Sequence, residues 1–121
     1  MFNLSASNRF ILYRKPTDMR KGFDGLSGLV NNQLKSTIMS GEVFVFVNRY
    51  RDKIKLLHWE SGGLTLYYKR LEKGTLELPK SKDDKVEISW ADLVMIIEGI
   101  SLEKVEKRTR FSATKSINLV V

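Results

Sequence analysis

Apolar residues along this chain change between short β-rich runs and one stretch with helical spacing. Residues 9–13 form the first β-rich run, and Pro16 ends it. The apolar residues that follow recur at helical spacing: Met19, Phe23, Leu26, Val30 and Leu34. Thr17 or Asp18 can act as the N-cap. The pattern therefore predicts a strand and then a helix that reaches about residue 34.

Three glycines recur at every third position inside this predicted helix: Gly22, Gly25 and Gly28. Each costs about 1 kcal/mol relative to alanine in a helix interior. A close approach of the helix backbone to a neighbour would offset this cost. The neighbour could be the protein's own sheet, a phosphate backbone or a partner helix. We expect Gly22 and Gly25 to pack inward against the sheet.

The β pattern resumes after the helix. Residues 42–48 are almost purely apolar, which predicts a central strand buried on both faces. Further strand patterns lie at 53–59, 64–68, 75–78 and 86–88, and glycine or proline turn signals separate the first three.

A second helix is predicted after the last strand. Ser89 gives it a start like a capping box, and Gly99 suits its end. The helix is apolar nearly all round, because Met95 and Ile96 make the second side apolar as well. The first face carries Trp90, Leu93, Val94 and Ile97. Such a helix is either buried within the domain or contacts a partner.

These elements predict an α+β fold with a mostly antiparallel sheet of about five to six strands and two helices. A length of 121 residues suits one globular domain, which we expect to span residues 1–102. Residues 103–121 form a basic tail that is either disordered or pairs as an edge strand.

Composition limits the classes of protein that remain. The chain has no cysteine, which excludes disulfides, thiolate zinc sites and a cysteine nucleophile, and which fits a reducing compartment. No signal peptide is recognisable, and the longest apolar runs, 43–47 and 93–97, are far shorter than a membrane span. We therefore expect a cytoplasmic protein that has no membrane partner.

Positive charge is concentrated in three segments. The net charge is +7, and residues 1–21, 48–73 and 103–115 each carry an excess of Lys and Arg, whereas residues 74–102 are rich in acids. Segregated positive charge favours a polyanionic partner, most often nucleic acid. The alternative is a solvated surface that is basic without a binding role.

Catalytic signals are weak. His58, the one histidine, lies in a strand pattern where a packed, hydrogen-bonded side chain is expected, and no nucleophile motif is nearby. No metal-binding or phosphate-loop motif is present. The carboxylates have simpler roles as caps or ion-pair partners. We expect no enzymatic activity, no cofactor, no metal and no small-molecule substrate.

Three clusters combine cations with aromatic residues, at 9–21, 49–55 and 67–70. Cations supply phosphate contacts, and exposed aromatics stack on unpaired bases. No motif for sequence-specific readout is present. The candidates for phosphate contact are Arg14, Lys15, Arg20, Lys21, Arg49, Arg51, Lys53, Lys55, Lys69 and Arg70. The following are expected to share one continuous face: Arg20, Lys21, Arg49, Arg51, and either Lys69 or Arg70.

Several ordered motifs resemble one protein family. The first runs from Pro16 to Leu26 and reads Pro-Thr-Asp-Met-Arg-Lys-Gly-Phe-Asp-Gly-Leu. The others are Val45-Phe46, Asn48-Arg49, residues 55–59, Gly63-Leu64, residues 67–74 and residues 93–100. Together they resemble the TnpB-type (Orf2-like) accessory proteins of a bacterial mobile element, insertion sequence family sixty-six. The resemblance covers residues 1–102 and departs from the family at His58 and Tyr67, where tryptophan is usual.

The resemblance implies an accessory role in transposition, because such proteins are encoded beside a separate, larger transposase. It implies no nuclease chemistry, although an unrelated family of RNA-guided nucleases shares the name TnpB. Our hypothesis is a non-catalytic protein that binds DNA through a basic face, with the transposon ends and the transposase as partners. The alternative is an adaptor that docks on the transposase through Met95 and Ile96 without direct DNA contact.

Overall fold

The computed structural model describes residues 4–98, which form one five-stranded sheet and two α-helices. The strands are β1 (Phe10–Tyr13), β2 (Val43–Val47), β3 (Lys53–Glu60), β4 (Gly63–Arg70) and β5 (Lys85–Ile88). The helices are α1 (Phe23–Asn32) and α2 (Trp90–Ile97), and a 3-10 turn (Ile38–Ser40) precedes β2. The α+β prediction is confirmed. The expected helix end at Gly99, the domain end at residue 102 and the tail 103–121 lie outside the described residues.

The strands lie in the order β4-β3-β2-β1-β5. Strands β1 and β2 are parallel, and α1 forms the crossover between them. A parallel pair needs such a long connection, whereas the antiparallel pairs β2–β3 and β3–β4 need only short turns. Strand β5 pairs antiparallel with β1 at the other end of the sheet. The sheet is therefore mostly antiparallel, as predicted.

Both faces of the sheet are covered, and β2 is buried along its whole length. Val43, Val45 and Val47 point to the face where α2 packs, and Phe44 and Phe46 point to the face where α1 packs. Alternation along a strand sends successive side chains to opposite faces, so an apolar run without interruption fills two cores at once. The prediction of a strand buried on both faces is confirmed.

Helix α1 begins later than its apolar periodicity predicts. Its first residue is Phe23, and neither Thr17 nor Asp18 caps it. The backbone N–H of Thr17 donates to the Val47 carbonyl (2.9 Å), which fixes the preceding loop to the end of β2. The carbonyls of Met19 and Lys21 accept from the Lys55 ammonium at 2.7 Å each, and these carbonyls would otherwise serve a helical turn. A tertiary contact thus replaces the first predicted turn.

The glycines do not bring α1 close to the sheet, contrary to our expectation. Among the described residues, apart from chain neighbours and the backbone of α1, nothing lies within 4 Å of the place where a Cβ on Gly22 or Gly28 would be. A Cβ on Gly25 would lie 3.1 Å from the side-chain stem of Lys21, not from the sheet. Leu26 and Val30 fill the space between helix and sheet instead, because both are fully buried.

Residues 75–78 form no strand, so the prediction of one there is wrong. The segment belongs to the connection from β4 to β5, which are the two edges of the sheet. The connection must cross the ends of the three intervening strands, so its backbone cannot run alongside one of them. Leu76 is buried in the core, and its N–H donates to the Arg51 carbonyl (2.6 Å).

Helix α2 begins as its sequence predicts. The hydroxyl of Ser89 accepts from the Asp92 N–H at 3.1 Å, which satisfies one free amide at the helix start. Leu93 and Ile96 then pack into the core. No helix within residues 4–98 has the length and apolar character needed to cross a membrane.

Candidate nucleic-acid interface

An open groove of about 490 Å³ lies at the carboxyl ends of β1 and β2. Two loops form most of it, one that follows β1 and one that joins β2 to β3, and strands β3 and β4 add one residue each. The backbone hydrogen bond from Thr17 to Val47, the last residue of β2, holds the two loops together. The residues that line the groove are Thr17, Asp18, Met19, Arg20, Asn48, Arg49, Tyr50, Lys53 and Tyr68.

The β2–β3 loop is a compact turn organised by Asn48. The Asn48 carbonyl oxygen Oδ1 accepts from the N–H groups of Asp52 and Lys53, both at 3.0 Å. Its Nδ2 atom donates to the Asp52 carboxylate at 2.6 Å, and this bond lowers the pKa of Asp52. The side chain thereby takes over hydrogen bonds that the backbone of a turn otherwise leaves open.

Three side chains project from this turn and play no part in holding it together. They belong to Arg49, Tyr50 and Arg51, and all three residues are exposed. Within residues 4–98, no hydrogen bond or ion pair engages their side chains. Arg51 has a φ of 55°, a left-handed conformation that is uncommon for a residue with a long side chain. The turn therefore presents two unpaired guanidinium groups on a well-defined backbone.

The loop before α1 carries a cation that is already paired. Arg20 Nη2 lies 2.7 Å from the Asp18 carboxylate, and the Arg20 N–H donates to the same carboxylate at 2.9 Å. The Arg20 side chain is the main reason that the pKa of Asp18 falls to about 2, and the Arg20 N–H adds to it. This local hydrogen bond, rather than a helix cap, is the role of Asp18.

Lys55 lies beneath the groove and supports it. Its ammonium binds the carbonyls of Met19 and Lys21 and lies 4.5 Å from the centre of the Tyr68 ring. Burial lowers the pKa of this ammonium, and the charge of Asp18 opposes the shift. Because the residue is only 5% exposed, Lys55 is a structural residue and not the phosphate contact that the sequence predicts.

A second depression of about 310 Å³ adjoins the first, since both share Lys53 and Tyr68. It adds Arg70, whose guanidinium pairs with Glu72 at 2.8 Å, while Lys53 lies 3.4 Å from Asp52. We call the four cations of the two depressions the cationic rim: Arg20, Arg49, Lys53 and Arg70. Within residues 4–98, carboxylates pair with three of them and none pairs with Arg49.

The other predicted contacts lie elsewhere or serve the fold. The Arg14 guanidinium donates to the carbonyls of Pro79 and Ser81, at 3.0 and 2.8 Å, so it holds the β4–β5 connection rather than a ligand. The Lys69 ammonium donates to the Ile97 carbonyl (2.9 Å) on the α2 face, away from the groove. Lys15 pairs loosely with Asp84 at 3.6 Å.

The expectation of one continuous face is met by part of the set. Arg20 and Arg49 line the groove, Arg70 lines the second depression, and Lys53 lines both. Lys69 points to the opposite face of the sheet. Lys21 and Arg51 are exposed on the two loops but do not line the groove.

Only one of the two residues predicted to form an adaptor surface is accessible. Ile96 is 0% exposed and belongs to the core under the sheet, so it cannot contact a partner as predicted. Met95 is half-buried. The apolar character of α2 on this side therefore reflects packing within the domain.

Sequence reasoning missed the residues that position the groove. Tyr50 and Tyr68, which belong to the predicted cation–aromatic clusters at 49–55 and 67–70, line the groove as exposed aromatics. The residues that were missed are Asn48 and Asp52, which organise the turn. The spacing Asn-x-x-x-Asp between two strand patterns was the available signal, because both residue types close turns with their side chains. Within residues 4–98, no three acidic or histidine side chains form a group suited to a metal ion.

Comparison with known proteins identifies the family. A family described as IS66 Orf2-like protein matches residues 8–107. Two uncharacterized proteins of Sinorhizobium fredii are similar to the chain. The one named y4jC is 28% identical over 115 residues, which is 95% of this chain and 98% of that protein. The one named y4hO is 34% identical over 84 residues, which is 69% of this chain and 73% of that protein. No solved structure matches the chain. The chain belongs to the IS66 Orf2-like family of transposition-associated accessory proteins.

Proposed function

We propose that this protein is a non-catalytic accessory factor that binds DNA of the transposon ends through the cationic rim and Arg51. The observation that carries the proposal is the pair Arg49 and Arg51. Asn48 satisfies the backbone of their turn, and no described residue engages their side chains. A guanidinium group recognises phosphate through paired hydrogen bonds, so an arginine with an unpaired side chain on an ordered turn suits this ligand.

The paired cations of the rim remain available to DNA. The ion pairs Arg20–Asp18 and Arg70–Glu72 are exposed to solvent, and exposed pairs contribute little to stability. A phosphate that approaches can therefore replace the carboxylate at small cost. The net charge of +7 supports the same partner, because it attracts a polyanion over a longer range.

A salt titration tests the proposal. Labelled duplex that carries a transposon end is titrated with the protein at several salt concentrations, and fluorescence anisotropy is recorded. If about five cations neutralise phosphates, the log of the affinity falls against the log of salt with a slope of about −4 to −5. Changing Arg49→Gln and Arg51→Gln, singly and together, should reduce that slope by about 0.9 for each lost phosphate contact.

Lys35→Gln is the matched control. Lys35 is exposed, has no described partner, and follows the end of α1, whereas the groove precedes its beginning. A helix of 10 residues separates the two places by about 15 Å. Absence of binding at low salt, a flat salt dependence, or equal slopes for the arginine variants and the control would each contradict the proposal.

The adaptor role remains the alternative for the same family membership. It predicts association with the transposase in the absence of DNA, and Met95 is the part of the predicted surface that it retains. Co-expression and pull-down with the transposase, in the presence of nuclease, separates the two roles. Loss of association in Met95→Lys, with DNA binding absent from the unchanged protein, would favour the adaptor.

A further inference from the structure

Two exposed tyrosines line the groove beside its cations. Tyr50 projects from the 48–52 turn and is 77% exposed, and Tyr68 lies on β4 and is 51% exposed. They come from separate elements, so neither local sequence alone predicts that they share one groove. Contact with a duplex backbone, which the proposed function requires, explains Arg49 but does not explain two aromatic rings.

The ring of Tyr68 is fixed from within the protein. The Lys55 ammonium lies 4.5 Å from the ring centre, and two carbonyl groups of the loop before α1 hold that ammonium in place. A cation near an aromatic face is attracted to it, and this attraction opposes reorientation of the ring. A ring that is already ordered loses little freedom when a ligand stacks on it.

The side chains of the groove suit nucleotides of a single-stranded nucleic acid. Aromatic side chains stack on the faces of bases, and these faces are accessible where bases are unpaired and unstacked. Cations beside the rings contact the phosphates that join such bases. Arg20, Arg49 and Lys53 provide the cations within the same groove. Its volume, about 490 Å³, is also within the usual range of small-ligand sites.

We propose that this groove binds unpaired nucleotides of a DNA strand, with bases stacked on both Tyr50 and Tyr68 and an adjacent phosphate on Arg49. The inference rests on the proposed function, because it names the form of DNA that the site takes. Binding by stacking is tolerant of sequence, since every base has an aromatic face.

The test compares two forms of DNA with matched tyrosine variants. The probes are a labelled oligothymidylate of about twelve nucleotides, a length within the usual site sizes, and a duplex of the same length. Tyr50→Leu should weaken binding of the single strand about tenfold, which corresponds to about 1.4 kcal/mol. Tyr50→Phe, which keeps the ring, should bind like the unchanged protein. Duplex affinity and the salt slope should stay the same in both.

Two further variants complete the comparison. Tyr68→Leu should show the same selective loss, and circular dichroism checks its fold because the ring contacts Lys55. Met39→Ala removes an exposed apolar side chain outside the groove, before the other end of β2, and should change nothing. If Tyr68→Leu is unfolded, Tyr50→Leu alone decides, since its side chain is exposed on a turn.

The outcomes separate this inference from the proposed function. Salt-dependent duplex binding together with equal single-strand affinity of Tyr50→Leu and the unchanged protein would overturn the inference and leave the proposed function intact. Failure to bind either probe at low salt would overturn both. Equal losses on both probes would overturn the inference, because stacking on an unpaired base would then not be the cause.

Discussion

The Lys55 ammonium lies 4.5 Å from the centre of the Tyr68 ring, and this contact links a residue beneath the groove to one that lines it. The two residues face each other directly across the β3–β4 pair. The same ammonium binds two backbone carbonyls of the loop before α1. A single buried charge therefore fixes a strand, a loop and an aromatic ring relative to one another.

Lys55→Met should destabilise the protein without removing its fold. The change keeps the length of the side chain but removes two hydrogen bonds from a charged donor. We expect the free energy of unfolding to fall by about 1–3 kcal/mol. Urea denaturation measures this as a lower midpoint with an unchanged m value. Lys35→Met, at an exposed site, should change stability by less than about 0.5 kcal/mol. Equal stability of the two variants would contradict the structural role of Lys55.

Asp18→Asn should strengthen DNA binding. The change removes a negative charge from the groove and frees Arg20, while an asparagine Oδ1 can still accept from the Arg20 N–H and keep the loop folded. We expect about two- to fivefold tighter binding at low salt, the effect of one exposed charge pair. The slope of the salt titration should stay the same, because Arg20 already contacts a phosphate in the unchanged protein. Weaker binding by a folded Asp18→Asn variant would show that Arg20 does not contact DNA.

Stability should fall on acidification below about pH 4. Hydrogen bonds from Arg20, Asn48, Arg70 and Arg9 are the chief causes that lower the pKa values of four carboxylates: Asp18, Asp52, Glu72 and Glu87. A folded-state pKa below the unfolded value gives stability that is complete above the unfolded pKa and is lost as the pH falls through the folded one. For Asp18 this window extends from its ordinary 3.8 to about 2.

Thermal unfolding between pH 7 and pH 2 measures the acid effect. Asp18→Asn removes one of the four carboxylates, so its melting temperature should decrease less steeply below about pH 4 than that of the unchanged protein. Identical profiles would mean that the Asp18–Arg20 pair does not persist in solution.

Ile96→Ala should cost far more stability than Met95→Ala. Ile96 is fully buried in the core, so the change leaves a cavity, and such changes cost about 2–5 kcal/mol. Met95 is half-buried, and we expect less than half of that loss. Chemical denaturation of both variants decides the question. A larger loss for Met95 would contradict the orientation of α2.

Gly28→Ala should stabilise the protein. Gly28 lies inside α1, and apart from its chain neighbours and the backbone of α1 nothing described lies within 4 Å of the position that the new methyl group would occupy. Alanine favours a helix over glycine by about 1 kcal/mol, so a gain of about 0.5–1 kcal/mol is expected. A loss of stability would indicate a close neighbour of α1, which the three glycines originally suggested.

The sequence by itself determined most of the secondary structure. The apolar run at 43–47 required a strand covered on both faces, and the signal at Ser89 predicted the start of α2 at the right residue. These features depend on neighbours in the sequence, because strand alternation and helix capping act within a few residues. The family resemblance likewise rests on ordered local motifs.

Only the tertiary structure decided the roles of the cations. Lys55 binds carbonyls 34 and 36 residues away, and Lys69 binds one 28 residues away, so neither is available to a phosphate. The two Lys55 bonds occupy carbonyls of the loop before α1, whose first residue is Phe23. From the sequence alone, the ammonium of a lysine could be exposed to solvent at any strand position. Whether its ammonium contacts water or a buried carbonyl depends on which distant segment folds over it. For this reason Lys55 is buried and bonded to carbonyls, whereas Arg49 is exposed and unpaired within residues 4–98.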